Sequence, residues 1–322
     1  MKLKSLTTQF FMISSLTMGI TLNSAVANDF PNRSIEMIVA YAEGGATDVT
    51  ARALARALEA EIGQSVVVRN MGGAAGQIGF TALSNASPDG YTIGFINTPP
   101  VLSLPIERDT DFTLDNFALI YNLLDDPTAV TVRASSPIQS FEQLMDMARE
   151  APNSLTMGGS GFGSHQHFLV QQLGRDYDVP VTYIPFDGSG PSVAATLGGH
   201  ITASADTIGN VARFVFSGDM RILAIAADER SEFFPDTPTF KELGLDINLG
   251  SMRGVAAPAG IPSERLEFWR EIVQRVSNDP QFIKDAEERG EVLGYMDHEE
   301  FRQALESLTA NIRLVWEETP WN

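Results

Sequence analysis

Hydrophobic and polar positions follow two alternating periods along this chain from about residue 35 onward. Short runs rich in β-branched residues predict strands at IEMIVA (35–40), SVVVRN (65–70) and YTIGFIN (91–97). Between the first two runs, residues 47–62 carry apolar side chains on one face at helical spacing, namely Ala51, Leu54, Ala55, Leu58 and Ile62. This pattern predicts a helix, and Gly63 supplies a left-handed stop for it.

The same alternation continues through the second half of the chain. Two strands are predicted at 118–124 and 129–135, separated by Asp125-Asp126-Pro127. A strand, a glycine loop and a helix then recur over 154–173. Further strands are predicted at 179–186, 201–206 and 220–227, and amphipathic helices at 262–276 and 298–316. Repeated strand–loop–helix units predict an α/β fold with largely parallel sheets, and the restart near 154 predicts two lobes with a ligand cleft between them.

The first 27 residues have a different pattern, typical of a secretory signal peptide. Lys2 and Lys4 precede an apolar run from Leu6 to Leu22, and Ala25-Val26-Ala27 supplies small residues for a signal peptidase. The alternative is an uncleaved membrane anchor. The short run, interrupted by Ser and Thr, and the cleavage triplet favour export to a periplasm with cleavage after Ala27. No later segment reaches 18 consecutive apolar residues, so we predict no membrane span.

Composition excludes several classes of function. The 322 residues carry a formal net charge of −19 and include no cysteine. Thiol chemistry is therefore absent, and nucleic-acid binding is disfavoured because it needs Lys and Arg to neutralise phosphates. No G-x-x-x-x-G-K-[ST] or complete G-x-G-x-x-G occurs, so we predict no nucleotide and no cofactor. No G-x-S-x-G occurs either, and we predict no catalytic residue and no enzyme activity.

Histidine spacing gives no metal site. His165 and His167 open a predicted helix, where side chains two residues apart diverge. No H-E-x-x-H accompanies them, and we therefore predict that the protein holds no metal.

Four glycine-rich loops, each between a strand and a helix, are the candidate chemistry. In the first, Gly44 and Gly45 allow close approach of a ligand to the backbone. The following amides, from Ala46 to Asp48, belong to a helix start and carry the positive end of its dipole. Loops at 72–79, 158–164 and 186–191 repeat the arrangement. We expect these main-chain donors, rather than basic side chains, to hold a carboxylate, although each loop taken singly also fits an ordinary helix start.

Six motifs taken together resemble one family. In order along the chain they are IVAYAEGGATDVTAR, VVVRNMGGAAGQIG, ASPDGYTIG, GGSGFGSHQHF, PFDGSGPSVAATLGGHI and GVAAPAGIP. The sequence resembles the extracytoplasmic substrate-binding proteins of tripartite tricarboxylate transporters, the Bug or TctC-like family. This resemblance implies a two-lobed, type II-like periplasmic binding protein. Such a protein closes on a small organic acid and delivers it to membrane permease subunits.

The resemblance also implies a set of ligand-binding residues and a lobe division. The expected contacts are Tyr41, Gly44, Gly45, Ala46, Thr47, Asp48, Gln77, Ile78, Thr98, Gly163, Ser164, His165, Asp206 and Thr207. We expect one lobe at 28–124 plus 228–322 and the other at 125–227, with chain crossings near Leu124–Asp126 and Ala226–Glu229. Where the family has Pro, Arg, Lys and an aromatic residue, this chain has Glu43, Met71, Asp187 and Met252. These differences predict a ligand less anionic than a tricarboxylate: a monocarboxylate, an aromatic acid or a neutral compound.

Two other functions remain open from the sequence. The same module could present its ligand to a membrane sensor instead of a permease. A periplasmic hydrolase is the third possibility, against which the missing nucleophile motif argues. In each case we expect a monomer.

Overall fold

A computed structural model describes residues 30–151, 154–318 and 320–321 of the chain. Contacts divide the chain into Met1–Phe30 and Pro31–Asn322, and of the first unit only Phe30 is among the described residues. The predicted signal peptide and its cleavage point lie outside the described residues.

Ten strands form in chain order within the described part of the chain. They are Ile35–Val39 (β1), Val66–Asn70 (β2), Thr92–Asn97 (β3), Phe117–Arg133 (β4), Thr156–Gly159 (β5), Thr182–Pro185 (β6), Ala203–Thr207 (β7), Met220–Ile225 (β8), Gly250–Pro258 (β9) and Leu293–Met296 (β10).

Ten α-helices alternate with these strands over the same described ranges. They are Ala46–Ile62 (α1), Gln77–Ser84 (α2), Pro100–Glu107 (α3), Phe141–Glu150 (α4), His165–Tyr177 (α5), Ser189–Leu197 (α6), Ile208–Phe216 (α7), Ser263–Ser277 (α8), Pro280–Glu288 (α9) and His298–Glu318 (α10). Single 3-10 turns lie at Ala74–Gly76 and Leu114–Asn116.

The helix starts and stops follow local chemistry. α1 ends at Gly63, whose φ of 67° is left-handed as predicted. α4 begins at Ser140, whose side chain accepts a hydrogen bond from the amide of Gln143. The pattern missed α3, α7 and α9, which are short helices of eight or nine residues, separated by at most two residues from the end of the preceding strand or helix.

The strands join in the order β2-β1-β3-β9-β4-β7-β5-β6, with β8 and β10 also paired to β4. The first lobe is built on β1, β2, β3, β9, β10 and the first part of β4, and the second on β5 to β8 and the last part of β4. Pairing is parallel among β1–β3 and among β5–β7, as predicted for the repeated units. It is antiparallel at β4 and β9, which connect the two lobes.

β4 is one strand of 17 residues, and the prediction of two strands broken at Asp125-Asp126-Pro127 was wrong. Pro127 pairs with Gly250 of β9, and the next residue, Thr128, pairs with Thr207 of β7. The strand therefore changes partners at the proline without stopping. Asp126 is tolerated inside it because its carboxylate is fully buried against Arg253, at 3.0 Å.

Each lobe has its own hydrophobic core. In the first, Phe80, Phe112 and Phe117 pack edge to face beneath α10. In the second, Phe141 and Phe240 meet edge to face, with Leu245 and Ile247 beside them.

The lobe boundaries stay a prediction. The packing of residues 240–247 changes where we place the second boundary. These residues contribute to the second core, whereas the predicted boundary at 227 assigns them to the first lobe. We therefore propose that the second crossing lies near Leu249–Gly250, where Gly250 pairs with Pro127 of β4. Within the described residues, no helix is both long and apolar enough to cross a membrane.

Candidate ligand-binding site

A small cavity of about 30 Å³ lies where the two lobes meet. Its wall includes the first glycine loop, the carboxyl end of β3, the start of β9 and the amino ends of α5 and α6. The lining residues are Tyr41, Gly45, Ala46, Thr47, Asn97, Thr98, Pro100, Ser160, His165, Ser189, Asn210, Ser251 and Arg253. Six of these were predicted from the sequence: Tyr41, Gly45, Ala46, Thr47, Thr98 and His165.

Hydrogen bonds between the lobes close the cleft around this cavity. The amide of Ala46, at the start of α1, donates to Asn210 Oδ1 of α7 at 3.0 Å. Ser103 Oγ of α3 donates to the carbonyl oxygen of Gly163 at 2.7 Å. One of the predicted helix-start donors is thus taken by an asparagine side chain from the opposite lobe.

Arg253 is the basic group in the wall, and the sequence prediction missed it. The residue is 2% exposed. Its Nη2 lies 3.0 Å from Asp126 Oδ2 and donates to Thr207 Oγ1 at 2.5 Å. Its Nη1 is buried and has no hydrogen-bond partner among the described residues. The expectation of main-chain donors stays a prediction, and the cavity wall adds a basic side chain to them. The available signal was a lone arginine inside the strand-length apolar run SMRGVAAP.

Asn97 stands beside Arg253 in the sheet. The two are directly paired across the antiparallel strands β3 and β9. Asn97 Nδ2 donates to Thr47 Oγ1 at 2.9 Å, while Asn97 Oδ1 is buried without a hydrogen-bond partner in the described part of the chain. This residue was also missed, since an asparagine at the end of a strand carries no distinctive pattern.

His165 lies in the wall as a neutral imidazole. Its Nδ1 is 2.7 Å from Thr128 Oγ1. Burial, and secondarily the nearby charge of Arg253, lower the pKa of His165 to about 3. Arg253 is therefore the one formally charged side chain among the described residues that line the cavity.

The acidic residues of the first loop are turned away from the cavity. Asp48 accepts from the amide of Gly44 and from Arg52 Nε, each at 2.9 Å. Although burial opposes it, these bonds hold the pKa of Asp48 below its ordinary value. The side chain of Glu43 is 79% exposed and 3.8 Å from Arg52. Asp48 and Gly44 therefore brace the loop and do not line the cavity, and Glu43 faces solvent.

The remaining predicted contacts lie outside the cavity lining. Gln77 and Ile78 begin α2, and Ile78 is 50% exposed. Ser164 caps α5, accepting from the amide of His167 at 3.3 Å and donating to the carbonyl of Gly161 at 2.7 Å. Gly163 holds the contact with Ser103 described above, and Thr207 positions Arg253. That these residues contact the ligand stays a prediction.

Asp206 is fully buried one layer behind the wall. It lies within hydrogen-bonding distance of Gln166 Nε2 at 3.4 Å and Ser192 Oγ at 3.5 Å. Burial raises the pKa of Asp206 to about 7, although its polar neighbours partly oppose the shift. The carboxyl therefore titrates near neutral pH inside the second lobe.

Asp206→Asn is expected to stabilise the protein at pH 8 and to change little at pH 4. A raised folded-state pKa means that the stability supplied by the neutral carboxyl is fully present below about pH 4 and is lost as the pH rises through about 7. Three pKa units set an upper bound of about 4 kcal/mol on the gain. Urea unfolding at pH 4, 6 and 8 measures it, with the exposed Asp187→Asn as a charge-matched control. A pH-independent difference between Asp206→Asn and the parent protein would contradict the expectation.

A larger groove of about 390 Å³ adjoins the cavity between α5 and α10. Thr98 belongs to both walls, and the groove wall is mainly apolar, with Phe168, Leu308 and Ile312. It also contains Asp125, whose pKa is raised by burial. The groove also contains Arg175, but its guanidinium is 43% exposed and is paired with Asp176 at 2.5 Å. Because a carboxyl group and a mainly apolar wall suit an anion poorly, the smaller cavity with Arg253 is the better anion site.

Across the described ranges, no cluster of three or more His, Asp or Glu side chains could hold a metal ion. The cavity donors are thus guanidinium, amide, hydroxyl and main-chain groups, which is the donor set for an organic anion.

Comparison with known proteins relates the chain to one family. The sequence model of the family described as "Tripartite tricarboxylate transporter family receptor" matches residues 50–315. Protein BugT of Bordetella pertussis is 33% identical over 238 residues, which cover 73% of this chain and 73% of BugT.

Solved structures share the fold. The periplasmic binding protein BugD superposes with a TM-score of 0.84 at 25% identity, covering 90% of this chain and 98% of BugD. MatC from Rhodopseudomonas palustris, with bound malate, superposes with a TM-score of 0.80 at 26% identity, covering 90% of this chain and 99% of MatC. A second Rhodopseudomonas palustris protein, with adipate, superposes with a TM-score of 0.84 at 25% identity, covering 90% of this chain and 98% of that protein. The predicted α/β, two-lobed periplasmic binding protein fold is therefore confirmed.

Proposed function

This chain belongs to the tripartite tricarboxylate transporter receptor family, and from that premise we propose that it is a periplasmic solute-binding protein for a small organic carboxylate. It captures the acid between its lobes and delivers it, chemically unchanged, to the membrane subunits of a tripartite transporter. MatC with malate and the related protein with adipate support carboxylates as the ligand class.

The observation that carries this proposal is the unpaired Nη1 of Arg253. A buried guanidinium donor with no protein acceptor is unfavourable, because desolvation has removed its water without supplying a partner. A carboxylate oxygen in the cavity would satisfy it with a charge-assisted bond.

Main-chain and hydroxyl donors support the same ligand. Gly45, Ala46 and Thr47 bring the start of α1 to the cavity wall, where the helix dipole favours negative charge. Ser160 and Ser189 approach from the second lobe. An acid that touches both lobes stabilises the closed arrangement relative to an open one, which is the population shift expected of such a receptor.

Purified protein is expected to bind carboxylates and to reject their amides. A calorimetric screen of mono-, di- and tricarboxylic acids against the matching amides measures this, with small-angle scattering to follow lobe closure. Binding of the amides as tightly as the acids, or slow consumption of a bound acid, would overturn the proposal. A membrane sensor as the partner, rather than a permease, would appear in a pull-down from membranes.

A further inference from the structure

Two residues of the cavity wall that are paired across neighbouring strands carry unpaired polar atoms of opposite type. Asn97 and Arg253 are register partners on β3 and β9, and both line the cavity. Side chains at directly opposed positions in an antiparallel pair start about 4.5–5.5 Å apart. Asn97 Oδ1 and Arg253 Nη1 are both buried without partners among the residues described. The two residues therefore carry one unpaired acceptor and one unpaired donor, which a single small ligand could satisfy when it enters as the lobes separate.

The chemistry of these two atoms determines which ligand group each can form a hydrogen bond with. A guanidinium only donates, so it matches a carboxylate oxygen. The oxygen of an asparagine amide only accepts, so it matches an O–H or N–H group of the ligand. A ligand that supplies both groups removes two buried unsatisfied atoms at once.

The charges of the residues around the cavity determine which hydrogen-bond donor group the ligand carries. The charge of Arg253 is already balanced by Asp126 at 3.0 Å, and His165 is neutral through burial. A second ligand carboxylate would therefore be buried against a wall without another cation. A ligand ammonium would lie near Arg253 with no carboxylate among the lining residues to pair with it. A neutral hydroxyl avoids both costs.

We propose that the ligand is a small hydroxycarboxylic acid with one carboxylate. Its carboxylate accepts from Arg253 Nη1, and its hydroxyl donates to Asn97 Oδ1. This inference rests on the proposed function and narrows it to a substrate class, distinct from the dicarboxylates malate and adipate carried by the structural relatives.

Four acids with the same carbon skeleton test the hydroxyl directly. The group on the carbon next to the carboxylate is the only difference among lactate, propionate, pyruvate and alanine. A comparison of 3-hydroxybutyrate with butyrate tests a hydroxyl group one carbon further from the carboxylate. Calorimetry with ligand-free full-length protein should show one hydroxy acid binding at least about tenfold more tightly than its deoxy partner. Malate, with its second carboxylate, should bind more weakly than lactate.

Asn97→Ala is expected to abolish this selectivity. The hydroxy acid should fall to the affinity of its deoxy partner, while the deoxy acid keeps its own affinity. Asn122→Ala is the matched control, because Asn122 Oδ1 is also buried and unpaired but lies on β4 outside the cavity lining. That variant should retain the full hydroxy-to-deoxy ratio, and circular dichroism checks that both variants are folded.

The outcomes separate this inference from the proposed function. Equal affinity for hydroxy and deoxy acids would overturn the inference and leave the function standing. A preference for alanine or for pyruvate would likewise overturn the inference and leave the function standing. A preference for pyruvate would mean that Asn97 presents its Nδ2 to the ligand. Tighter binding of malate than lactate would overturn the single-carboxylate assignment. Binding of neutral compounds alone would overturn both proposals.

Discussion

Arg253→Met is expected to weaken carboxylate binding at least about 100-fold and to destabilise the fold by about 3–5 kcal/mol. The affinity falls because the substitution removes the charged donor, whose loss from a desolvated pair costs about 2–5 kcal/mol. The stability falls because Asp126, fully buried, loses the cation at 3.0 Å. Calorimetry and urea unfolding measure the two effects separately.

The double variant Arg253→Met/Asp126→Asn separates binding from folding. The neutral amide can still accept from the amide of Gly209, which lies 3.1 Å from Asp126 Oδ2. Most of the lost stability should therefore return, while binding stays lost. If the double variant recovered carboxylate affinity, Arg253 would act only through the fold, and the anion site would lie elsewhere.

Gly45→Val is expected to weaken ligand binding about 10- to 100-fold while leaving the melting temperature close to that of the parent. Gly45 has φ −75° and ψ 165°, which any residue can adopt. A Cβ there would meet the carbonyl oxygen of Ala42 at 3.5 Å, an ordinary contact. The same position lines the cavity and lies close to Gly190 of the opposite lobe, so the added methyl groups compete with ligand and closure.

A graded series makes that expectation specific. Gly45→Ala should weaken binding less than Gly45→Val, because it adds less volume at the same wall. Gly174→Ala is the control. Gly174 lies within α5, and a Cβ there meets only the carbonyl oxygen of Val179, at 3.9 Å. Unchanged affinity in Gly45→Val would show that the first glycine loop does not bound the ligand.

Local patterns predicted much of the fold. The apolar alternation at 35–40 and the helical face of 47–62 correspond to β1 and α1, and Gly63 ends the helix in the left-handed conformation. The failures lie where the lobes join. The sequence Asp125-Asp126-Pro127 has the composition of a turn, yet it continues β4 because Arg253, 127 positions later, pairs with the buried carboxylate.

The candidate site divides in the same way. Gly45, Ala46 and Thr47 were predicted because a glycine pair before a helix start is a local signal. Asn97 and Arg253 were missed because each is unremarkable in its own segment. Only the pairing of β3 with β9 places them next to each other.

The sequence by itself determined the alternation of strands and helices, the glycine turns and the family likeness, since these depend on periodicity, backbone freedom and the order of motifs within short windows. The tertiary structure decided which polar groups are buried and which of them lack partners. Burial and pairing depend on segments far apart along the chain, and they place one arginine and one asparagine amide together in the wall between the lobes.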